Sequence, residues 1–314
     1  MTKDLKIIII GFGSIGQRHY RNLTALGYKN VYVFDTDSEK VKSQKSKVKS
    51  LDQNTLKSFD VAFVCNPNHK HIEVAIKCAE AGLDLFIEKP LSHNLKEVEK
   101  LRVLCKKKDL VNMVACNMRF LPAFQSIKKF MDAGKLGKIF SLSHEFGHYL
   151  PYWRPGTDYR KNYAVSKKKG GGIVLDDIHE FDLIFWLNDF APVTKSSILK
   201  SNTGALDIET EDQAKAVFQF KNGVLGSVSC DYLSKKYHRT CRVVGEKGNL
   251  TWNWQDNEVI FENEKTKKVI YSEKHLDINQ MYLEEIKYFL KSTAEKKKTF
   301  NDITMAKEIL RHLM

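Results

Sequence analysis

Two side chains in this sequence stand where a proton could be moved. Lys89 sits in Glu88-Lys89-Pro90, directly after an apolar run, and His179 closes Gly170-Gly171-Gly172-Ile173-Val174-Leu175-Asp176-Asp177-Ile178-His179. An imidazole titrates near neutral pH and can take the proton of a hydroxyl as a general base. A lysine ammonium can hold that oxygen and stabilise its developing negative charge. Asp176 lies three residues before His179 and could orient or polarise either group, with Asp177 competing for the role. Each signal alone has an ordinary alternative, since a lysine at a strand end is usually solvated and a helical histidine is usually a satisfied one. The chemistry they suggest together is hydride transfer at a carbinol carbon, with His179 as base and Lys89 as oxyanion holder.

Such a reaction needs a redox cofactor, and Gly11-Phe12-Gly13-Ser14-Ile15-Gly16 supplies a place for one. Gly11 permits a tight turn, Gly13 lets a pyrophosphate approach the backbone, and Gly16 lets the helix pack close to its strand. The phosphates would lie over the helix N-terminus at Ser14 and Ile15, where free N–H groups favour negative charge. Asp35 follows Gly16 by 19 residues, at the end of the next apolar run. A carboxylate there accepts hydrogen bonds from the adenosine ribose and repels a 2′-phosphate. Thr36-Asp37-Ser38 offers no arginine clamp, so NAD is expected over NADP, with Lys40 and Lys42 the residues that argue otherwise.

These groups must be held by a particular frame. Leu5 to Ile10 is a β-branched run of the kind found in a strand buried on both faces, and Ser14 onward turns helical. Strands at Val31 to Phe34, Val61 to Val64, Leu83 to Ile87 and Leu110 to Ala115 alternate with helices at His69 to Gly82 and Leu95 to Lys106. That alternation is the signature of a doubly wound parallel sheet, whose ligands bind beyond the C-terminal strand ends. Asn66-Pro67-Asn68-x-x-His71 and Glu88-Lys89-Pro90 both fall there. Past about residue 120, after a helix-like piece at Ala123 to Met131, alternating segments dominate: Lys138 to Tyr149, Ala214 to Phe220, Val224 to Asp231, Arg239 to Val244, Leu250 to Trp254, Glu258 to Glu262 and Lys268 to Tyr271. Asn222-Gly223 reads as a hairpin turn. The expected architecture is α/β plus α+β: a dinucleotide-binding Rossmann domain over 1–120, then a mostly antiparallel, open-sheet substrate and oligomerisation domain over 121–314. The C-terminal helix of the second is free to pack back on the first.

Composition fits this frame. With 42% hydrophobic and 28% charged residues the chain can bury a core, which excludes a disordered or fibrous class. The net charge of +13 arises from lysines spread along the chain, with short runs at 106–108, 167–169 and 296–298. Runs of three read as solvated faces, and no finger or helix-turn-helix spacing accompanies them, so no nucleic-acid partner is expected. An anionic small molecule suits the sign equally well. The six cysteines form no C-x-x-C pair, so neither a metal site nor a disulfide framework is expected. No apolar run reaches membrane length, and the cytoplasm is the default location.

The fingerprint, the Glu-Lys-Pro turn and the Gly-rich stretch ending in His179 together resemble the glucose–fructose oxidoreductase / inositol dehydrogenase family (Gfo/Idh/MocA) over nearly the whole chain. The resemblance implies that Lys89 points at the substrate beneath the nicotinamide and that Pro90 is a cis peptide. It places Pro67, Asn68 and His71 near the nicotinamide end of the cofactor. The cofactor-binding set is then Gly11, Gly13, Ser14, Ile15, Gly16, Asp35, Asn66, Pro67, Asn68, His71, Glu88 and Lys89. The family's N-x-R-[FY] segment matches Asn117, Arg119 and Phe120, with Asn117 and Arg119 expected on the substrate. The family's Asp-x-x-x-His pattern fits less well, because four residues before His179 stands Leu175.

Trp153-Arg154-Pro155-Gly156-Thr157-Asp158-Tyr159-Arg160, followed by Tyr163, resembles members associated with bacterial surface-glycan biosynthesis. Arg154, Tyr159, Arg160 and Tyr163 suit a polyhydroxylated, anionic ligand such as a nucleotide sugar or sugar acid. The resemblance also implies a homodimer or homotetramer formed through the open sheet face. The alternative from another class is a dinucleotide-binding sensor of the same fold that performs no chemistry.

Overall fold

The computed structural model describes residues 4–314. Its contacts divide the chain into two compact units, residues up to Cys116 with Tyr282–His312, and Asn117–Met281.

The first unit is built on five parallel strands: β1 (Ile7–Ile10), β2 (Val31–Phe34), β3 (Val61–Val64), β4 (Asp84–Ile87) and β5 (Asn112–Val114). Between them run α1 (Ser14–Ala25), α2 (Gln53–Leu56), α3 (His71–Ala81) and α4 (Val98–Lys107). Every residue of β1, β3 and β4 is buried, which is why β1 and β3 are continuous apolar runs and β4 is one after Asp84. β2 lies at the edge and alternates in burial. The strand order is β2-β1-β3-β4-β5. The chain leaves β1 on one side and resumes with β3 on the other, so the topological switch point lies between the ends of β1 and β3.

The second unit carries α5 (Pro122–Asp132), β6 (Ile139–Gly147), α6 (Ile173–Asp176) and α7 (His179–Leu187), then β7 (Val193–Ser201), β8 (Gln213–Phe220), β9 (Leu225–Asp231), β10 (His238–Gly245), β11 (Gly248–Asn253), β12 (Glu258–Glu262) and β13 (Lys267–Ser272). These strands form one sheet in the order β13-β12-β11-β10-β6-β9-β8-β7. β8 buries every second residue, so one face of the sheet is covered. Phe181 and Phe185 of α7 meet Phe218 of β8 edge to face, and Phe124 of α5 lies 4.8 Å from Trp252 of β11.

The second unit departs from the sequence reading in one strand and in one pairing. β7 has no counterpart in it, because this edge strand is largely exposed and its Val-Thr-Lys-Ser-Ser-Ile-Leu-Lys-Ser carries no apolar alternation. The sheet is also mixed at its centre, where β6 pairs antiparallel with β10 but parallel with β9.

The chain closes with α8 (Ile278–Glu295) and α9 (Ile303–Leu313), and the segment joining them borders β5. Val114 N donates to Asn301 O at 2.9 Å, Asn301 Nδ2 to Val114 O at 2.5 Å, and Thr299 Oγ1 to Asn112 O at 2.6 Å. Residues 282–312 therefore group with the first unit. Among the described residues no helix is long and apolar enough to cross a membrane.

Candidate active site

In the first unit the fingerprint loop leaves β1 at the switch point. A Cβ on Gly11 would come within 2.4 Å of Asn66 N, and one on Gly16 within 2.0 Å of Gly11 O. Both positions exclude any side chain, since neither neighbour is a flexible tip. At Gly13, by contrast, an added Cβ would meet nothing within 4 Å. The loop is thus closed toward β3 at Gly11 and open at Gly13, where a pyrophosphate needs room.

Asp35 Oδ2 accepts from Phe12 N at 2.7 Å and Oδ1 from Asp37 N at 2.9 Å, which fixes the carboxylate beside the loop. Lys40 Nζ stands 3.8 Å from Asp35, and Lys42 is drawn to Glu39 at 3.3 Å. At the end of β3, Asn66 Oδ1 and Nδ2 are both buried with no hydrogen-bond partner in the protein. An unfilled buried amide is costly unless a ligand completes it. The closed turn, the open Gly13 and the waiting amide of Asn66 all fit a dinucleotide.

Beyond β4, Glu88 is buried and its Oε1 lies 2.6 Å from His19 Nε2, while Lys89 N donates to Oε2 at 3.2 Å. Burial alone would raise the Glu88 carboxyl. The His19 ring outweighs it, aided by Lys89 and His71, and brings the group below its usual range. Lys89–Pro90 is a cis peptide. His71, buried at the start of α3, has Nδ1 2.8 Å from Pro90 O and Nε2 2.7 Å from Asn66 O. A neutral imidazole donates to only one carbonyl, so both bonds form only when the ring is charged. Burial nonetheless lowers its basicity, against the pull of those two carbonyls and Glu88. His71 thus ties the Asn66 turn to the Lys89-Pro90 turn. Asn68 is buried and Pro67 exposed in the short 3₁₀ turn between them.

In the second unit, from Gly170 to Phe185 every residue but His179 is buried. Three consecutive glycines start this run and His179 opens α7, a half-buried residue with its Nδ1 buried, on a packed platform. Asp176 accepts the hydroxyls of Tyr163 and of Tyr232, the latter at 3.0 Å. Asp177 is spent differently, 2.7 Å from Arg239 Nη2. Of the two carboxylates, Asp176 is the one held by phenols.

The expected substrate residues differ in how they are held. Arg119 is 0% exposed, its Nε and Nη2 donating to Asp182 at 2.7 and 2.6 Å, with Phe190 beneath the guanidinium. Arg119, expected on the substrate, is thus sealed from solvent in a two-point ion pair. Asn117, in the same turn, is also buried. Arg160 is exposed but folds onto Asp158 at 2.9 and 3.0 Å. Tyr159 receives Asp207 N on its hydroxyl at 3.2 Å, Tyr163 is half-buried and turned to Asp176, and Arg154 is exposed.

The sequence reading missed Tyr232, Glu180, Arg239 and His144. Glu180 Oε2 lies 3.0 Å from His144 Nδ1, and Glu180 Oε1 2.7 Å from Arg239 Nη2. A signal existed: His144 and Arg239 occupy inward positions of alternating strands, flanked by Leu142 and Phe146 and by Cys241. A charged residue where the pattern calls for an apolar one must be paired. Among the described residues no group of three or more His, Cys, Asp or Glu side chains is arranged to hold a metal.

Comparison with known proteins agrees with this geometry. Residues 5–116 match the model of an oxidoreductase family with an NAD-binding Rossmann fold, and residues 124–251 match the GFO/IDH/MocA C-terminal domain. The chain is 29% identical over 309 residues to myo-inositol 2-dehydrogenase of Thermotoga maritima, covering 92% of this chain and 88% of that one. It is 28% identical over 221 residues to levoglucosan dehydrogenase of Pseudarthrobacter phenanthrenivorans, covering 62% and 55%. Among solved structures, a levoglucosan dehydrogenase in complex with NADH superposes with a TM-score of 0.85 at 20% identity, over 98% of this chain and 94% of that one. A fingerprint loop closed at Gly11 and open at Gly13, and a buried platform bearing His179, stand on a chain matched by both family models: it belongs to the Gfo/Idh/MocA family of oxidoreductases.

Proposed function

We propose that the protein is an NAD(H)-dependent dehydrogenase acting on a hydroxyl-bearing carbon of a sugar or sugar derivative, with its cofactor on the first unit and its substrate on the second. The single observation that carries this reading is His179, the one partly exposed side chain in a buried run. Bound nicotinamide supplies the acceptor or donor of the hydride. His179 takes the hydroxyl proton, Lys89 stabilises the negative charge on that oxygen, and Asp176, held by Tyr163 and Tyr232, orients the reacting groups. Asp35 selects the ribose of NAD over a 2′-phosphate, and Asn66 offers its amide to the cofactor.

The curated relatives are named for myo-inositol and levoglucosan, which supports a polyhydroxylated substrate. An anionic substituent is proposed on Arg154, since Asp158 already neutralises Arg160. A place in bacterial surface-glycan synthesis rests on the likeness of the loop over 153–163.

The test is the near-ultraviolet absorbance of the reduced cofactor, followed with NAD and NADP in parallel against nucleotide sugars, sugar acids and free polyols. Turnover with NAD on a sugar or polyol is the expected result, and an anionic sugar as best substrate would support Arg154. Tight NADH binding without turnover on any member would overturn the enzyme in favour of a sensor.

A further inference from the structure

Between α6 and α7 the helical path breaks at Asp177, whose φ and ψ are −113° and 41°. This break sets how His179 leaves the platform, and it falls where the chain is one residue short of the family spacing. What spans it is a single arginine. Arg239 Nη2 lies 2.7 Å from Asp177 Oδ1, at the break, and 2.7 Å from Glu180 Oε1, after it. The second oxygen of Glu180 lies 3.0 Å from His144 Nδ1. Asp177 is 4% exposed, Glu180 0%, Arg239 7% and His144 1%.

The cluster is balanced, with two acids from the helical segment facing two bases from the sheet. Arg239 stands on β10 and His144 on the adjacent β6, so both bases come from a rigid floor. Phe146 lies 4.6 Å beneath the Arg239 guanidinium and fixes its plane. Burial opposes charge on His144, but Cys241 and Glu180 prevail and raise its pKa to about 10. Glu180 is correspondingly lowered, because Arg239 and His144 outweigh its burial. His179 stands in sequence between the two gripped carboxylates.

We propose that Arg239, seconded by His144, is a positioning residue that fixes the presentation of His179 by clamping Asp177 and Glu180 across the break. The inference rests on the role given to His179 above. It assigns Asp177 a function distinct from that of Asp176, as the near jaw of the clamp. A lysine cannot hold the same place, because an ammonium on a flexible stem lacks the flat guanidinium that lies on Phe146 and fixes where Nη2 stands between the two carboxylates. Displacement of a reacting group by about 1 Å costs on the order of 10²-fold in rate.

The decisive experiment is Arg239→Lys, read by the ring resonances of ¹⁵N-labelled histidine in the full chain. The His179 signals are identified by their loss in His179→Gln. Arg239→Lys is expected to move them while those of His19 and His71, in the first unit, stay in place. Turnover on the best substrate of the panel should fall roughly 10- to 100-fold in kcat, with KM and NADH affinity held. Unmoved His179 signals would overturn the proposal, whatever happens to the rate. Because the resonances need no substrate, a panel without turnover defeats the enzymatic reading and leaves this test intact. If Arg239→Lys does not fold, Asp177→Asn releases one jaw with little change of volume and is read the same way.

Discussion

Gly11 and Gly16 of the first unit leave no space for a Cβ, and what they shape is a path for backbone N–H groups to reach a ligand. Asp176, Asp177 and Glu180 of the second unit are instead held through two tyrosine hydroxyls and through an arginine and a histidine from the sheet. One site is defined by where side chains are forbidden, the other by buried charges that must find partners. The first kind demands the same local residues wherever it occurs and so recurs as a motif. The second can be met by different residues in different chains.

The largest effect should come from the two groups assigned to the reaction itself, one on each unit. Lys89→Ala and His179→Ala are each expected to cut turnover about 10²- to 10⁴-fold while NADH binding, followed by fluorescence, survives. Near-normal turnover in both would break the assignment of chemistry to side chains on both units.

Next in size is the buried ion pair of Arg119. Arg119→Met strands Asp182, 2% exposed, without its cation, and should cost about 3–5 kcal/mol in urea denaturation. Arg119→Met with Asp182→Leu should recover most of that loss. If Arg119→Met leaves stability intact but weakens substrate binding, the buried ion pair is not its role, and the second unit holds a substrate arginine after all.

The smallest effect is one of pH. His144 has its pKa raised to about 10 by Cys241 and Glu180 against the cost of burial. A raised histidine contributes stability that is complete below its unfolded value, near 6.5, and is lost as pH climbs toward the folded one. The Tm of the protein should therefore decline between about pH 7 and pH 10 more steeply than that of His144→Gln. Parallel declines would show that the charge on His144 contributes nothing to stability.

These contrasts account for what the sequence disclosed. Ile7 to Ile10 announced a central strand because burial on both faces requires unbroken apolar residues, and the glycines after it are needed by local geometry alone. Asp35 could be located for the same reason, at a fixed distance from the fingerprint. The burial of Arg119 was hidden because its partner is 63 residues away, and nothing near it in sequence reveals that it is sealed. The parallel pairing of β6 with β9 was hidden too, since alternation reports which face a residue takes and not which strand lies beside it. His179 was found from its setting, but the clamp behind it comes from strands that local reading treats separately.

The hydrogen bonds from Thr299 and Asn301 to β5 carry a consequence for biosynthesis. On the ribosome the first five strands emerge early, yet the segment that borders the fifth is translated only after the whole second sheet. That sheet in turn cannot join β6 to β9 until the chain has reached residue 231. Contacts of such sequence separation are slow to form. During that interval the nascent Rossmann half presents an uncovered strand edge, which makes it a natural client for chaperones and the stage at which aggregation is most probable.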